Sequence, residues 1–331
     1  MSSGKQVSAV RYHRTGCPAE VIQVDQVGCA PPSVGEVTVR MELSPVNPAD
    51  LNMLEGKYGE ARSLPDVPGN EGCGRVIAIG SGVDSSWLGR RVLVDSLAWR
   101  EQGNWPIDGL VPVPDGLESD QACVLRVNPP TAWLLLHSFV DLHPGDWVLQ
   151  NAATSAVGRA VIEIAKHRGW KTMNFVRRPE AADELTRFGA DAVVVEGDDS
   201  AAQASAILQE AQPKLALNAV GGVAATRLAG LLAPGGTMVT YGAMSKEALK
   251  IPNGFLIFRD LRFRGFWLTR WLREADPAER AALFAEVFRL AGLGCFRPRV
   301  AATFSMAQAR EAVALAASGS ANGKVLLRLD G

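Results

Sequence analysis

Apolar and polar residues alternate through Val37, Val39, Met41 and Leu43, a period of two that predicts a half-buried strand. Residues 1 to about 123 are rich in Gly, Pro and runs of this kind, so a β-rich module is expected there. From about residue 130 the pattern changes. Thr131 to Phe139 reads as helix and His143-Pro-Gly-Asp146 as a turn, after which short apolar runs alternate with helical stretches. The predicted strands are Trp147 to Gln150, Thr172 to Val176, Ala192 to Val195, Leu215 to Val220, Thr237 to Tyr241 and Leu261 to Trp267, with helices beginning near Val157, Glu180, Ala201 and Val223. Successive strands therefore need crossover connections, which favours a doubly wound parallel sheet of six strands. Two helical segments follow from about Pro277, and a strand-like Lys324 to Leu329 is expected to rejoin the first module. The predicted domains are 1–123 with 270–331, and 124–269.

Composition narrows the function classes. The chain has 331 residues, 47% of them hydrophobic and 21% charged, as in ordinary globular proteins. Lys and Arg number 34 against 35 Asp and Glu, a net charge of −1, so no global field would hold nucleic acid or an anionic membrane. No run approaches the roughly 20 apolar residues that cross a bilayer. The opening Met-Ser-Ser-Gly-Lys-Gln leads into strand-like sequence without a signal-type apolar core, which makes the cytoplasm the expected location. Five scattered cysteines, an odd number without a C-x-x-C pair, fit reduced thiols. The four histidines stand at no ligand-like spacing from them, and no metal site is expected.

The first βα turn of the predicted sheet reads Asn151-Ala-Ala-Thr-Ser-Ala-Val-Gly158 and opens an amphipathic helix. Unpaired amides and the positive dipole end at such a helix start favour a pyrophosphate. Of the dinucleotide fingerprint G-x-G-x-x-G only the third glycine, Gly158, survives; Ala153 and Ser155 replace the others. The second strand ends in Arg177 and Arg178, where an NAD site would offer a carboxylate. Two guanidinium groups suit a 2′-phosphate, so NADPH is the implied cofactor. A solvated basic turn before Pro179 is the competing reading. Tyr241-Gly-Ala-Met244 and Phe266-Trp-Leu268 close later strands at the same edge, where their apolar faces would suit either a nicotinamide ring or core packing.

These and further segments carry a family resemblance: Asn47-Pro-Ala-Asp-Leu-Asn-Met53, Gly56-Lys-Tyr-Gly59, Gly69-Asn-Glu-Gly72, Val127-Asn-Pro-Pro-Thr-Ala132, Gly235-Gly-Thr-Met-Val-Thr-Tyr-Gly242 and Arg264-Gly-Phe-Trp-Leu268. The chain resembles a zinc-free medium-chain dehydrogenase/reductase, and within that group the mitochondrial-type trans-2-enoyl thioester reductases. The resemblance implies an α/β fold with a GroES-like β-rich catalytic domain and a Rossmann domain for NADPH. It implies cofactor contacts from Asn128, Thr154, Ser155, Ala156, Val157, Arg177, Arg178, Tyr241, Gly242, Ala243, Met244, Phe266, Trp267, Leu268 and Lys324, and a homodimer. Zinc-using relatives would carry a cysteine around Asn47 to Asp50 and a histidine at Asn70, and neither is present.

Reduction of a conjugated thioester needs a proton at Cα, which a positioned weak acid can supply. Only three tyrosines exist, and Tyr58 lies in a glycine-flanked loop; in the resembled family the tyrosine of this motif is the proton donor. The expected substrate is a trans-2-enoyl thioester of coenzyme A or acyl carrier protein. Arg259, Arg262, Arg264, Arg270 and Arg273 form a basic stretch that reads as a solvated edge or as a contact for such a carrier. Reduction of a quinone or other activated alkene, and NADPH binding without catalysis, are the alternative functions. Ala156 and Ala243 stand where relatives often have glycine, a replacement tolerable only where φ is negative.

Overall fold

Strand pairing realises the alternating pattern. The computed structural model describes residues 5–60 and 62–330. Its first part forms β1 (Lys5–Tyr12), α1 (Pro18–Val21), β2 (Ile22–Cys29), β3 (Glu36–Pro45), α2 (Pro48–Leu54), β4 (Gly72–Ile79), β5 (Arg91–Val94), β6 (Gln102–Pro106), β7 (Val111–Pro112) and α3 (Ser119–Ala122). In β3 the residues Val37, Val39 and Met41 are wholly buried, but so are Thr38 and Ser44. The strand is thus enclosed on both faces over part of its length. Its buried hydroxyls are satisfied: Thr38 donates to Asn104 Oδ1 at 2.7 Å and Ser44 to the Glu71 carbonyl at 2.5 Å.

The middle of the chain follows the predicted βα alternation through α4 (Asn128–His137), β8 (Trp147–Gln150), α5 (Ala156–Arg168), β9 (Lys171–Val176), α6 (Glu180–Phe188), β10 (Ala192–Val195), α7 (Ser200–Leu208), β11 (Leu215–Asn218), α8 (Gly222–Gly230), β12 (Thr237–Thr240), α9 (Asn253–Ile257), β13 (Arg262–Gly265) and α10 (Leu268–Glu274). The six strands are all parallel, in the order β10-β9-β8-β11-β12-β13. Winding runs outward from β8 to β10 and then restarts at β11 beside β8, so its direction reverses between these two strands. Three strands stop short of the predicted ends, leaving Tyr241, Phe266 and Trp267 beyond them. At β11 the cause is visible: Asn218 Oδ1 accepts from the amides of Val220 and Gly221 at 3.2 and 3.1 Å, bending the chain out of the ladder.

The chain then runs through α11 (Pro277–Gly292), β14 (Val300–Ser305), α12 (Ala309–Ala317) and β15 (Lys324–Arg328). β15 pairs antiparallel with β3 and parallel with β14, completing a seven-stranded sheet in the order β14-β15-β3-β4-β5-β7, with β6 also on β3. Two units result, Met1–Val127 with Phe284–Gly331 and Asn128–Leu283. Residues 124–127 therefore belong with the first unit, where the amides of Arg126 and Val127 donate to Glu71, and residues 270–283 with the second. Tyr12, Met41, Trp99 and Leu54 centre the first core, and Leu149, Met173, Phe175 and Leu228 the larger core of the second. All five cysteines are free thiols. Among the described residues no helix is long and apolar enough to cross a membrane.

Candidate active site

Open parallel sheets bind ligands at the carboxyl ends of their strands where the winding reverses, here the turn after β8. Residues 151–155 lead into α5, where Ser155 Oγ accepts from the Gly158 amide at 3.1 Å and caps the helix. Ala152 adopts a left-handed φ of 51°. This turn brings strand and helix so close that a Cβ on Gly158 would lie 2.6 Å from the Ala153 carbonyl oxygen and 2.7 Å from its Cα. The surviving glycine of the fingerprint thus permits helix–strand packing. Ala156 and Ala243 do not have positive φ, so each accommodates its methyl group without backbone strain.

Arg177 and Arg178 follow β9, both exposed, and their guanidinium groups join no ion pair among the described residues. The Tyr241 amide donates to the Asn218 carbonyl at 3.0 Å, and the Met244 amide to Ala219 at 2.9 Å, fixing the turn 241–244 on the end of β11. Burial pushes the Tyr241 phenol up, against the pull of the adjacent Ser155 side chain, and its hydroxyl is buried without a well-formed hydrogen bond. Thr154 is exposed, Val157 half-buried, Gly242 half-buried and Ala243 exposed. Phe266 meets Phe139 edge-on with ring centroids 6.1 Å apart, half-buried Trp267 precedes α10, and Leu268 is buried as its first residue. Asn128 is buried at the start of α4. Except for Asn128, these predicted residues share the carboxyl edge of one sheet.

A network that sequence reasoning missed supports this edge. Asn151 Nδ2 donates to Asn218 Oδ1 at 2.8 Å, Asn218 Nδ2 to Thr240 Oγ1 at 3.1 Å, and the Ala219 amide to Asn151 Oδ1 at 2.7 Å. Gln150 donates to the Gly158 carbonyl at 3.0 Å and to Asn174 Oδ1 at 2.7 Å. Gln150, Asn151, Asn174 and Asn218 are essentially inaccessible. They tie four adjacent strands together beside the turn. A polar residue inside an otherwise apolar strand, as in Lys171-Thr-Met-Asn-Phe-Val176, was the available signal.

The basic stretch is partly committed. Arg259 donates to the carbonyls of Gly230, at 3.0 Å, and Leu232, closing the end of α8. Arg270 pairs with Glu274 at 2.8 Å, and Arg264 lies over the Phe139 ring at 5.9 Å.

In the first unit, Tyr58 stands four residues beyond Leu54, the last residue of α2. Its flanking glycines hold left-handed φ values, 73° at Gly56 and 42° at Gly59, and the Lys57 amide donates to the Asn52 carbonyl at 2.8 Å. The glycine-flanked segment is a turn pinned to the helix. Tyr58 is half-buried and packs on the first core.

The opposite end of α2 carries a second unforeseen group. Asp50 accepts from the Asn47 amide at 2.7 Å, capping its own helix, and from Asn70 through the amide at 2.9 Å and Nδ2 at 2.6 Å. Asn47 Nδ2 donates to Glu71 Oε1 at 2.8 Å, and the Lys324 ammonium donates to Asn47 Oδ1. Burial pushes Asp50 and Glu71 up to about 6, opposed by these hydrogen bonds and by Lys324. Burial also lowers Lys324, with both carboxylates working the other way. Lys324 is half-buried, and its ammonium is hydrogen-bonded to Asn47 within the first unit. The spacing Asn47-Pro-x-Asp50 is a helix-start signature that could have revealed the carboxylate. At the positions where zinc-using relatives would carry a cysteine and a histidine, this chain has hydrogen-bonded amides and a carboxylate.

Residues 33–109 match the alcohol dehydrogenase GroES-like domain, and residues 156–286 the family described as zinc-binding dehydrogenase. A GroES-like unit joined to a Rossmann-like six-stranded sheet defines a medium-chain dehydrogenase/reductase. Mouse mitochondrial enoyl-[acyl-carrier-protein] reductase is 41% identical over 287 residues, 84% of this chain and 77% of that protein. Among solved structures, a complex of Etr1p with NADP and crotonyl-CoA aligns at 28% identity with a TM-score of 0.85, covering 98% of this chain and all of that one; Etr1p of Candida tropicalis also forms a heterodimer with Etr2p. A protein from Bacillus thuringiensis, described as a candidate NADPH:quinone reductase, aligns at 27% identity with a TM-score of 0.92, covering 98% and 99%. The chain belongs to the enoyl reductase family of medium-chain dehydrogenases/reductases.

Proposed function

We propose that this protein reduces the C2=C3 double bond of a trans-2-enoyl thioester, carried by coenzyme A or acyl carrier protein, with NADPH as reductant. The observation that carries the reading is the carboxyl edge of the second sheet. A capped helix start, the buried hydroxyl of Tyr241, which makes no well-formed hydrogen bond, and two uncommitted arginines there meet the needs of a 2′-phosphorylated dinucleotide. Thr154 to Val157 would hold the pyrophosphate, Arg177 and Arg178 the 2′-phosphate, and Asn128, Tyr241 to Met244 and Phe266 to Leu268 the remainder. When bound, NADPH supplies a hydride to Cβ. Tyr58 then gives its phenolic proton to Cα as charge leaves the thioester oxygen, and its phenolate recovers a proton from solvent.

The test is NADPH oxidation with crotonyl-CoA, a long-chain enoyl-CoA and a quinone side by side. Enoyl thioesters should be turned over and the quinone much less so. The likeness to the Bacillus thuringiensis protein favours quinone reduction as the second reading, and a reversed preference would establish it. Binding of NADPH with no oxidation by any of the three would leave the non-catalytic alternative. Tyr58→Phe is expected to keep NADPH affinity while lowering kcat by about 100-fold or more, the range for loss of a general acid. Unchanged turnover by that variant would remove Tyr58 from the chemistry.

A further inference from the structure

We infer that Asp50, together with Asn47, Asn70, Glu71 and Lys324, is a positioning device that fixes the hydroxyl of Tyr58 by clamping the helix that precedes it. The inference rests on the proposed role of Tyr58 as proton donor.

The path from clamp to phenol is short and continuous. Asp50 lies in the first turn of the seven-residue α2 and spends its two carboxylate oxygens on different partners. One caps the Asn47 amide at the helix start; the other receives both the amide and the Nδ2 of Asn70, which lies just before β4. The helix is thereby fastened at its first turn to the segment that enters β4, an interior strand of the main sheet. Asn47 passes the fastening on, donating to Glu71 and accepting from Lys324 at the start of β15. Glu71 completes it by accepting from the amides of Arg126 and Val127 at 3.2 and 2.9 Å.

At the other end of α2, the Gly16 amide donates to the Leu54 carbonyl at 2.9 Å, and the Lys57 amide returns to Asn52. Tyr58 is the next residue. Rotation or sliding of α2 would carry the phenol with it, because only Glu55, Gly56 and Lys57 intervene and the Lys57 amide is held on the helix by its bond to Asn52. A general acid misplaced by about 1 Å can lose roughly 100-fold in rate, so the precision of the clamp is of direct use to Tyr58. Stability alone is a poor account of this group. Asp50 and Glu71 are both wholly buried, and buried charged groups are often no better for stability than apolar residues of similar volume.

A double-mutant cycle with the full chain tests this. Asp50→Asn keeps the shape but loses an acceptor and the charge, and is expected to lower kcat about tenfold while the Kd for NADPH, followed by nucleotide fluorescence, stays within about twofold. In the Tyr58→Phe background the same substitution should change kcat by less than about twofold, because the group being positioned has gone. Asn70→Ser, which removes one donor to Asp50 and leaves the carboxylate in place, should repeat the pattern in milder form. It decides the matter alone if Asp50→Asn does not fold. Independent, multiplicative losses in the double variant, or wild-type kcat in a folded Asp50→Asn or Asn70→Ser protein, would overturn the positioning role. An active Tyr58→Phe enzyme would instead overturn the underlying proton-donor assignment.

Discussion

Arg177 and Arg178 sit at the end of β9 with nothing among the described residues to neutralise them. Each charge-assisted hydrogen bond to a phosphate is worth about 1.5–3 kcal/mol, and about 1.4 kcal/mol is a factor of ten. Arg177→Ala with Arg178→Ala should therefore raise KM for NADPH by about 100-fold and leave that for NADH within a few-fold, a contrast read directly from initial rates with the two nucleotides. Equal loss with both would place the arginines away from the 2′-phosphate. Asp50 and Glu71 bear on a different measurement. Their pKa values, raised to about 6 by burial, mean that the folded chain holds these protons more tightly than the unfolded one. The stability they contribute is complete below about pH 4 and is lost as pH rises through about 6. Thermal melts should accordingly show Tm falling by roughly 5 °C from this cluster between pH 5 and pH 7, and Asp50→Asn should flatten that slope.

At the scale of elements, the close approach of α5 to the end of β8 depends on one missing side chain. A methyl group at Gly158 would press into backbone atoms of Ala152 and Ala153 that have no room to move aside. Gly158→Ala should cost about 1–3 kcal/mol, or about 2–4 °C in Tm per kcal/mol, and weaken NADPH binding in the same variant. Much of this architecture was legible beforehand, since βα alternation depends only on local periodicity. All six strands of the Rossmann-like sheet begin within a residue of their predicted starts. Their ends were misplaced where a side chain, such as that of Asn218, takes over backbone hydrogen bonding from the ladder. The helix start after β8 and the arginines after β9 could likewise be placed at one sheet edge, because both follow directly from the predicted strand ends. The Asp50 cluster could not. It joins residues 47, 50, 70, 71 and 324, and no pattern in the sequence brings residue 324 beside residue 47.

For the whole molecule, the second unit ends in an edge strand. Among the described residues β13 pairs only with β12, and just before it Leu256, Ile257 and Phe258 are 49%, 70% and 84% exposed. Free strand edges and clustered apolar side chains are both sites of association. The homodimer that the sequence suggested would cover them by pairing β13 with its copy across a two-fold axis. Phe258→Asp with Ile257→Asp should shift the mass seen by light scattering from dimer to monomer; a wild-type protein that is monomeric at micromolar concentration would dispose of this interface.

The sheet of the first unit is completed by β15, which lies between β3 and β14, whereas the second unit is one uninterrupted stretch from Asn128 to Leu283. On the ribosome these two facts impose an order. The second unit is free to acquire its native shape while the first is still waiting for its final strand, so the part made first is finished last. Release of a nascent chain ending before Lys324 would thus yield a folded second unit attached to a first unit in which Leu43, Ser44 and Pro45 at the end of β3 lack their partner strand, a state that chaperones and proteases would be expected to see.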